Sequence, residues 1–116
     1  MTESFEGSAR GFSWTGEARE GILTIRIAGE LDLALTTGAG ERLSELVKRD
    51  ERVIVVDLHA VTFMDSSGLR FLVTMRNEAQ ERGARLLLGK LSPAVKRVID
   101  IAGLSDWFES VGAAAF

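Results

Sequence analysis

The apolar run Val53–Leu58 (VIVVDL), with the polar cluster that follows it, constrains this chain more than any other stretch. β-Branched and nearly continuous in its hydrophobicity, the run has the composition of a strand buried on both faces, as parallel strands in α/β domains are. A short connection follows. Asp65, Ser66, Ser67 and Gly68 then stand together where a helix should begin. Two hydroxyls and a carboxylate are thereby predicted at the positive end of a helix dipole, a favourable place for an added anion.

The rest of the chain falls into strand and helix periods around that segment. Residues 1–10 have no clear pattern and are expected to form a flexible N-terminal segment, leaving 11–116 as one domain. Gly11 to Ala18 alternates with period two, Phe12 and Trp14 sharing a side, as an edge strand does. Arg19-Glu20-Gly21 reads as a hairpin turn into a strand from Ile22 to Ala28, where Leu23, Ile25 and Ile27 make one apolar face. Gly29-Glu30-Leu31-Asp32 ends that strand. Asp32 is placed to cap a helix running to about Arg49, with Leu35, Ala39, Leu43, Leu46 and Val47 as its stripe. Gly38 and Gly40 interrupt this helix, each costing ~1 kcal/mol relative to alanine. A helix from about Ser66 to Gly83 should bury Leu69, Leu72, Val73 and Ala79 and turn Arg70, Asn77, Glu78 and Glu81 to water. Arg85–Leu88 reads as a short strand. Ser92-Pro93 opens another helix, with proline at its first position. Trp107–Val111 reads as a last short strand. The resulting order, β-β-α-β-α-β-α-β, predicts a single α/β domain with a mixed, mainly parallel sheet. In such sheets ligands and partners meet the carboxyl ends of the strands, where Gly29–Asp32 and Phe63–Gly68 both fall.

Composition narrows the function classes. A formal charge of −3 with scattered basic residues lacks the footprint of a nucleic-acid binder, so no nucleic-acid partner is expected. Cysteine is absent and His59 is the lone histidine, which excludes thiolate metal sites and disfavours a histidine-dependent triad. The N-terminal residues carry acids and no apolar core, so a signal peptide is not indicated, and no apolar run is long enough for a membrane span. A cytoplasmic protein without a membrane partner is the expectation. No Walker loop or GxGxxG is present. Asp57 and Asp65 come from different faces and ends of one segment, with no base, metal ligand or oxyanion hole, so they do not form an acid–base pair.

Asp65-Ser66-Ser67-Gly68 has a plain reading as a helix cap. Capping and function are compatible here, because a hydroxyl on a rigid turn with small neighbours is open to a partner's nucleotide. A phosphate there adds about −1.5 to −2 charge. The helix end favours it by ~0.3–1 kcal/mol, and Asp65 opposes it. The fold should survive, whereas a surface built over a neutral hydroxyl should lose its hold. Gly29–Asp32 alone is a turn and cap, of interest only beside Ser66. Lys96 and Arg97 read as a solvated face, and Trp14 and Trp107 as core or edge cover.

The pattern resembles the STAS domain of bacterial anti-sigma factor antagonists over about residues 20–110. The matching pieces are GELD (29–32), VIVVDL (53–58), FMDSSGL (63–69), ERGARLLL (81–88) and LSPAVKRVIDIAGL (91–104). The resemblance implies a non-enzymatic antagonist that, unphosphorylated, binds an anti-sigma factor and so frees a sigma factor. In that family the anti-sigma factor is also an ATP-dependent serine kinase, and a serine phosphatase restores the active form. Carried over residue by residue, this makes Ser66 the phosphorylation site. Glu30, Leu31, Asp32, Asp65, Ser67, Gly68, Leu69 and Arg70 become the partner surface. The chain needs no cofactor of its own, since the kinase supplies ATP. Where the family commonly reads SGLG this chain reads SGLR, and Arg70 is a candidate to clamp a phosphate or to meet a different kinase. The alternatives are a STAS subunit of another assembly, such as a signalling scaffold or a lipid-transport complex, and, with no credible catalytic set, a small enzyme.

Overall fold

Phe12–Arg19 and Ile22–Leu31 form an antiparallel hairpin. Its two-residue turn, Glu20-Gly21, takes positive φ at both positions (52° and 80°), the geometry that matches the twist of the strands it joins. The computed structural model describes residues 2–32 and 38–111. Along the chain these form β1 (Thr2–Ala9), β2 (Phe12–Arg19), β3 (Ile22–Leu31), α1 (Gly38–Val47), β4 (Val53–Met64), α2 (Ser66–Glu81), β5 (Arg85–Leu91), α3 (Pro93–Ile101) and β6 (Glu109–Ser110). The strands make a six-stranded sheet in chain order, antiparallel from β1 to β3 and parallel from β3 to β6.

One expectation fails at the start. Residues 2–9 are not a loose segment but the edge strand β1, paired with β2 along its whole length. Its alternation is masked because only Phe5 and Ala9 pack on the core. Arg49 also pins it from α1's side: the guanidinium lies 4.6 Å from the Phe5 ring centroid and 3.1 Å from the Glu3 carboxylate. Glu51 holds that guanidinium in turn and, as its strongest hydrogen-bond partner, raises its pKa.

Because β3 to β6 advance in one direction across the sheet, right-handed crossovers place all three helices on one face. That face is the core. Leu23, Ile25 and Ile27 of β3, Ile54, Val56 and Leu58 of β4, and Leu86 and Leu88 of β5 meet Leu43 and Val47 of α1, Leu72, Met75 and Ala79 of α2, and Val95 and Ile99 of α3. The opposite face stays open, so β4 is not buried on both sides: Val53, Val55 and Asp57 remain half-exposed.

Helix α2 buries Gly68, Leu72, Met75 and Ala79, whereas Leu69 and Val73 are half-buried on its flank. Glu78 turns inward rather than to water, accepting a hydrogen bond from the Ser44 hydroxyl of α1 at 2.6 Å. Ser92 caps α3 as expected, its hydroxyl accepting from the Val95 amide at 3.2 Å. The expected first half of the preceding helix, with Asp32 as its cap and Leu35 and Ala39 in its stripe, falls on residues 33–37 and on a side chain outside the described residues, as does the 112–116 tail.

Candidate functional site

The site is built where β3, β4 and α2 converge. Strand β4 does not stop at Leu58 but runs on to Met64. Two register shifts against β3 absorb extra β4 residues, one between Arg26 and Ala28 and one between Gly29 and Glu30. At the first, Asp57 turns its carboxylate back to accept from the His59 amide at 2.9 Å. At the second, the Thr62 hydroxyl donates to the Gly29 carbonyl at 3.3 Å. Beyond them Glu30 pairs with Phe63 and Leu31 with Met64, so the GELD and FMDSSG segments are backbone neighbours.

Asp65 then opens α2. In an extended conformation (φ −112°, ψ −170°), it accepts from the Ser67 and Gly68 amides at 2.9 and 3.1 Å, both to Oδ1. Its own amide donates to the Leu31 carbonyl at 3.3 Å, which welds the end of β3 to the start of the helix. Ser66, the first helical residue, is exposed. Ser67 and Leu69 are half-buried and Arg70 is exposed. Glu30 is exposed and Asp32 half-buried, both on the β3 side of the same edge.

Two residues expected at a partner surface belong elsewhere. Leu31 is fully buried and Gly68 is buried against it. A Cβ at residue 68 would meet the Leu31 carbonyl oxygen at 2.4 Å and Met64 Cγ at 2.7 Å. These two residues hold the surface in place rather than forming it. The helix end expected to favour an added anion has two of its amides, those of Ser67 and Gly68, already taken by the Asp65 carboxylate.

Sequence reasoning placed the segment beginning at Phe63 at the carboxyl edge but did not single out the Phe63 side chain. Its side chain is 48% exposed on the open face of the sheet, in register with Glu30 and two residues before Asp65. A signal was present: in VTFMD the buried residues are Val61 and Met64, three apart rather than two, the spacing a β-bulge imposes. The candidate site is therefore the exposed Ser66 and the half-buried Ser67, flanked by Glu30, Asp32 and Asp65, with one aromatic (Phe63), one aliphatic (Leu69) and one cation (Arg70). Such a surface suits a partner that offers basic groups around an apolar pocket. The open sheet face carries a separate cleft lined by Ser13, Thr15, Arg26, Asp57 and His59. Among the described residues no three histidine, cysteine or acidic side chains cluster in a way that could hold a metal ion, and no helix is long and apolar enough to cross a membrane.

Comparison with known proteins agrees with this architecture. The profile of the STAS domain family matches residues 13–114. An anti-sigma F factor antagonist of Paenibacillus polymyxa is 30% identical over 89 residues, 76% of each chain. An anti-sigma-B factor antagonist of Listeria monocytogenes is 33% identical over 87 residues, 75% of this chain and 76% of that one. Among solved structures, an anti-sigma factor antagonist from Mycobacterium paratuberculosis superimposes with a TM-score of 0.74 at 25% identity, over 92% of both chains. SpoIIAA, an anti-sigma factor antagonist solved in its unphosphorylated form, gives 0.64 at 26% identity over 80% of this chain and 82% of its own. The fold is that of a small α/β module, a six-stranded mixed sheet with three helices. This chain belongs to the STAS domain family, and the curated relatives just described are anti-sigma factor antagonists.

Proposed function

We propose that this chain is a phosphorylation-switched anti-sigma factor antagonist of the bacterial cytoplasm. Unmodified, it docks through the edge formed by Glu30, Asp32, Phe63, Asp65, Ser66, Ser67, Leu69 and Arg70 onto an anti-sigma factor that is also a serine kinase, and thereby releases a sigma factor. The observation that carries this reading is Ser66: an exposed hydroxyl at the first position of α2, beside the turn that ends β3. The names of its relatives support the same role.

In the switching step, the Ser66 hydroxyl oxygen attacks the γ-phosphorus of ATP held by the kinase. The bond to the β-phosphate oxygen breaks, ADP leaves, and the hydroxyl proton passes to a base on the kinase. A serine phosphatase reverses the change by hydrolysis. The added charge, about −1.5 to −2, falls among Glu30, Asp32 and Asp65 and makes the surface more acidic. A partner that covers a neutral hydroxyl must then bury or repel a dianion, which loosens the complex by several kcal/mol. Residues 66–68 are fixed by the Asp65 cap and the packing of Gly68, so the fold stays as it is.

The test is an affinity pull-down from the native cell with and without ATP, followed by mapping of the modified residue. Ser66→Ala should retain the kinase in both conditions and Ser66→Asp should lose it. Phosphate found on Ser67, Thr62 or Ser92 instead would overturn the assignment, and recovery of a transporter complex in place of a kinase would overturn the partner.

A further inference from the structure

Capping of α2 takes up two of the amides that a helix start ordinarily offers a phosphate. Two amides of the first turn, those of Ser67 and Gly68, are committed to Asp65 Oδ1. That carboxylate also adds like charge next to the modified residue. No acidic side chain stands in the first turn of α2. Counter-charge for the phosphoryl group must come from elsewhere, and one exposed cation has the right position.

Arg70 lies four residues after Ser66 on α2, so the two share a helix face and neighbouring turns. Long side chains on helices lean toward the N-terminus, a direction that brings the Arg70 guanidinium within reach of the turn holding Ser66. Three and four residues from Arg70 stand Ser66, Ser67, Val73 and Thr74, none of them acidic. Among the described residues no carboxylate forms an ion pair with Arg70. A cation one turn from a helix N-terminus gains nothing from the dipole. Charge pairing therefore gives no reason for an arginine here in the unmodified chain.

We propose that Arg70 is the phosphate-binding residue of the modified protein, reaching back one helical turn to pair its guanidinium fork with the phosphoryl oxygens on Ser66. The inference rests on Ser66 as the acceptor. It deepens that reading by dividing the labour at the switch: Asp65 holds the helix start in both states, and Arg70 exchanges solvent for phosphate when the state changes. The modified form is then a defined ion-paired structure rather than a free dianion at the surface. Arg70 is a positioning residue for the phosphate and takes no part in the transfer.

The experiment installs phosphoserine at position 66 during translation, so that the result does not depend on which serine any kinase selects. The second ionisation of the phosphate, ordinarily near pH 6, is followed by phosphorus NMR in the otherwise unchanged protein, in Arg70→Gln and in Arg70→Lys. Pairing predicts a midpoint lower by about 0.3 pH unit with Arg70 than with glutamine, a partial shift with lysine, and collapse of the difference in 1 M salt. The Arg70 Nε–H resonance should also move on phosphorylation. Equal midpoints in the arginine and glutamine proteins, with the Nε–H resonance unmoved, would overturn the proposal. The pull-down described above judges the acceptor assignment separately: normal pairing with no kinase use of Ser66 would sink that reading and leave this geometry standing.

Discussion

The α-carbon of Gly68 faces the carbonyl of Leu31 so closely that a Cβ there would lie 2.4 Å from the oxygen. The same oxygen accepts the Asp65 amide at 3.3 Å. One backbone atom at the end of β3 thus fixes both the approach and the first turn of α2, and hence where Ser66 stands relative to Glu30 and Asp32. Gly68→Ala forces backbone against backbone, which a rotamer change cannot relieve. It should destabilise the fold by about 1–3 kcal/mol in urea unfolding and weaken partner binding at temperatures where the variant stays folded. Unchanged stability would mean that helix and strand separate more easily than the packing implies.

Cap and charge at Asp65 can be separated. Asp65→Ala removes the acceptor for two amides and should lower the unfolding free energy by about 0.5–2 kcal/mol. Asparagine caps comparably, so Asp65→Asn should restore most of that stability. It also removes a negative charge from the docking edge, so its effect should appear in the salt dependence of partner binding. Equal unfolding of the alanine and asparagine variants would show that the hydrogen bonds at 2.9 and 3.1 Å do not hold the helix start.

Much of this junction was legible in the sequence, for a physical reason. Asp65, Ser92 and Pro93 act through their immediate neighbours, and local chemistry is what a sequence displays. The hairpin turn at Glu20-Gly21 and the apolar alternation of β3 are local in the same way. Three features were not legible. Strand β1 is held by an arginine far along the chain, so its own residues carry little pattern. The bulges in β4 break the period of two that would have extended the strand to Met64 and shown Phe63 turned outward. Leu31 and Gly68 lie within surface motifs, yet close packing between β3 and α2 removes them from the surface.

Phe63 is a direct test of the docking edge. Being 48% exposed, it contributes little to the core, and Phe63→Ala should leave stability within about 0.5 kcal/mol. An aromatic at the centre of an interface commonly carries more than 1 kcal/mol, so the dissociation constant for the anti-sigma partner should rise about tenfold or more. Calorimetry of both processes on one preparation decides the matter. Normal binding would move the contact surface away from this side of Ser66.

Acid should loosen the far edge of the sheet before it unfolds the domain. The Glu109 carboxyl is held below its ordinary value of 4.5, first by the hydrogen bond from Arg85 and then by the charges of Arg85 and Arg76. A depressed carboxylate contributes stability above its unfolded pKa and loses it as pH falls through the lower folded value. Below about pH 4.5 the contacts of β6 on β5 should weaken, seen as a lower protection factor for the Val111 amide bonded to Leu88, after correction for the intrinsic pH dependence of exchange. In Glu109→Gln the protection factor should already be low at neutral pH and no longer change across this range. An unchanged acid response in that variant would assign the effect to another carboxyl.

Arg82 gives the complementary case, a charged residue that supports the fold at the end of α2 remote from Ser66. Its Nε donates to the Val47 carbonyl at 2.7 Å and Nη1 to the Glu51 carbonyl at 2.6 Å. Val47 is the last residue of α1, so the guanidinium satisfies a helix-terminal carbonyl and ties α1, the following loop and α2 together. Hydrogen bonds from charged donors contribute about 1.5–3 kcal/mol each, and some is recovered by water once the side chain is gone. Arg82→Ala should therefore cost about 2–4 kcal/mol. Arg82→Lys should fall between, because an ammonium cannot span two carbonyls as a planar fork does. The folded fraction of either variant should bind the anti-sigma partner normally, the reverse of the result expected for Phe63→Ala. A variant of Arg82 that kept full stability but lost binding would place the contact surface at the opposite end of α2 and remove Ser66 from it.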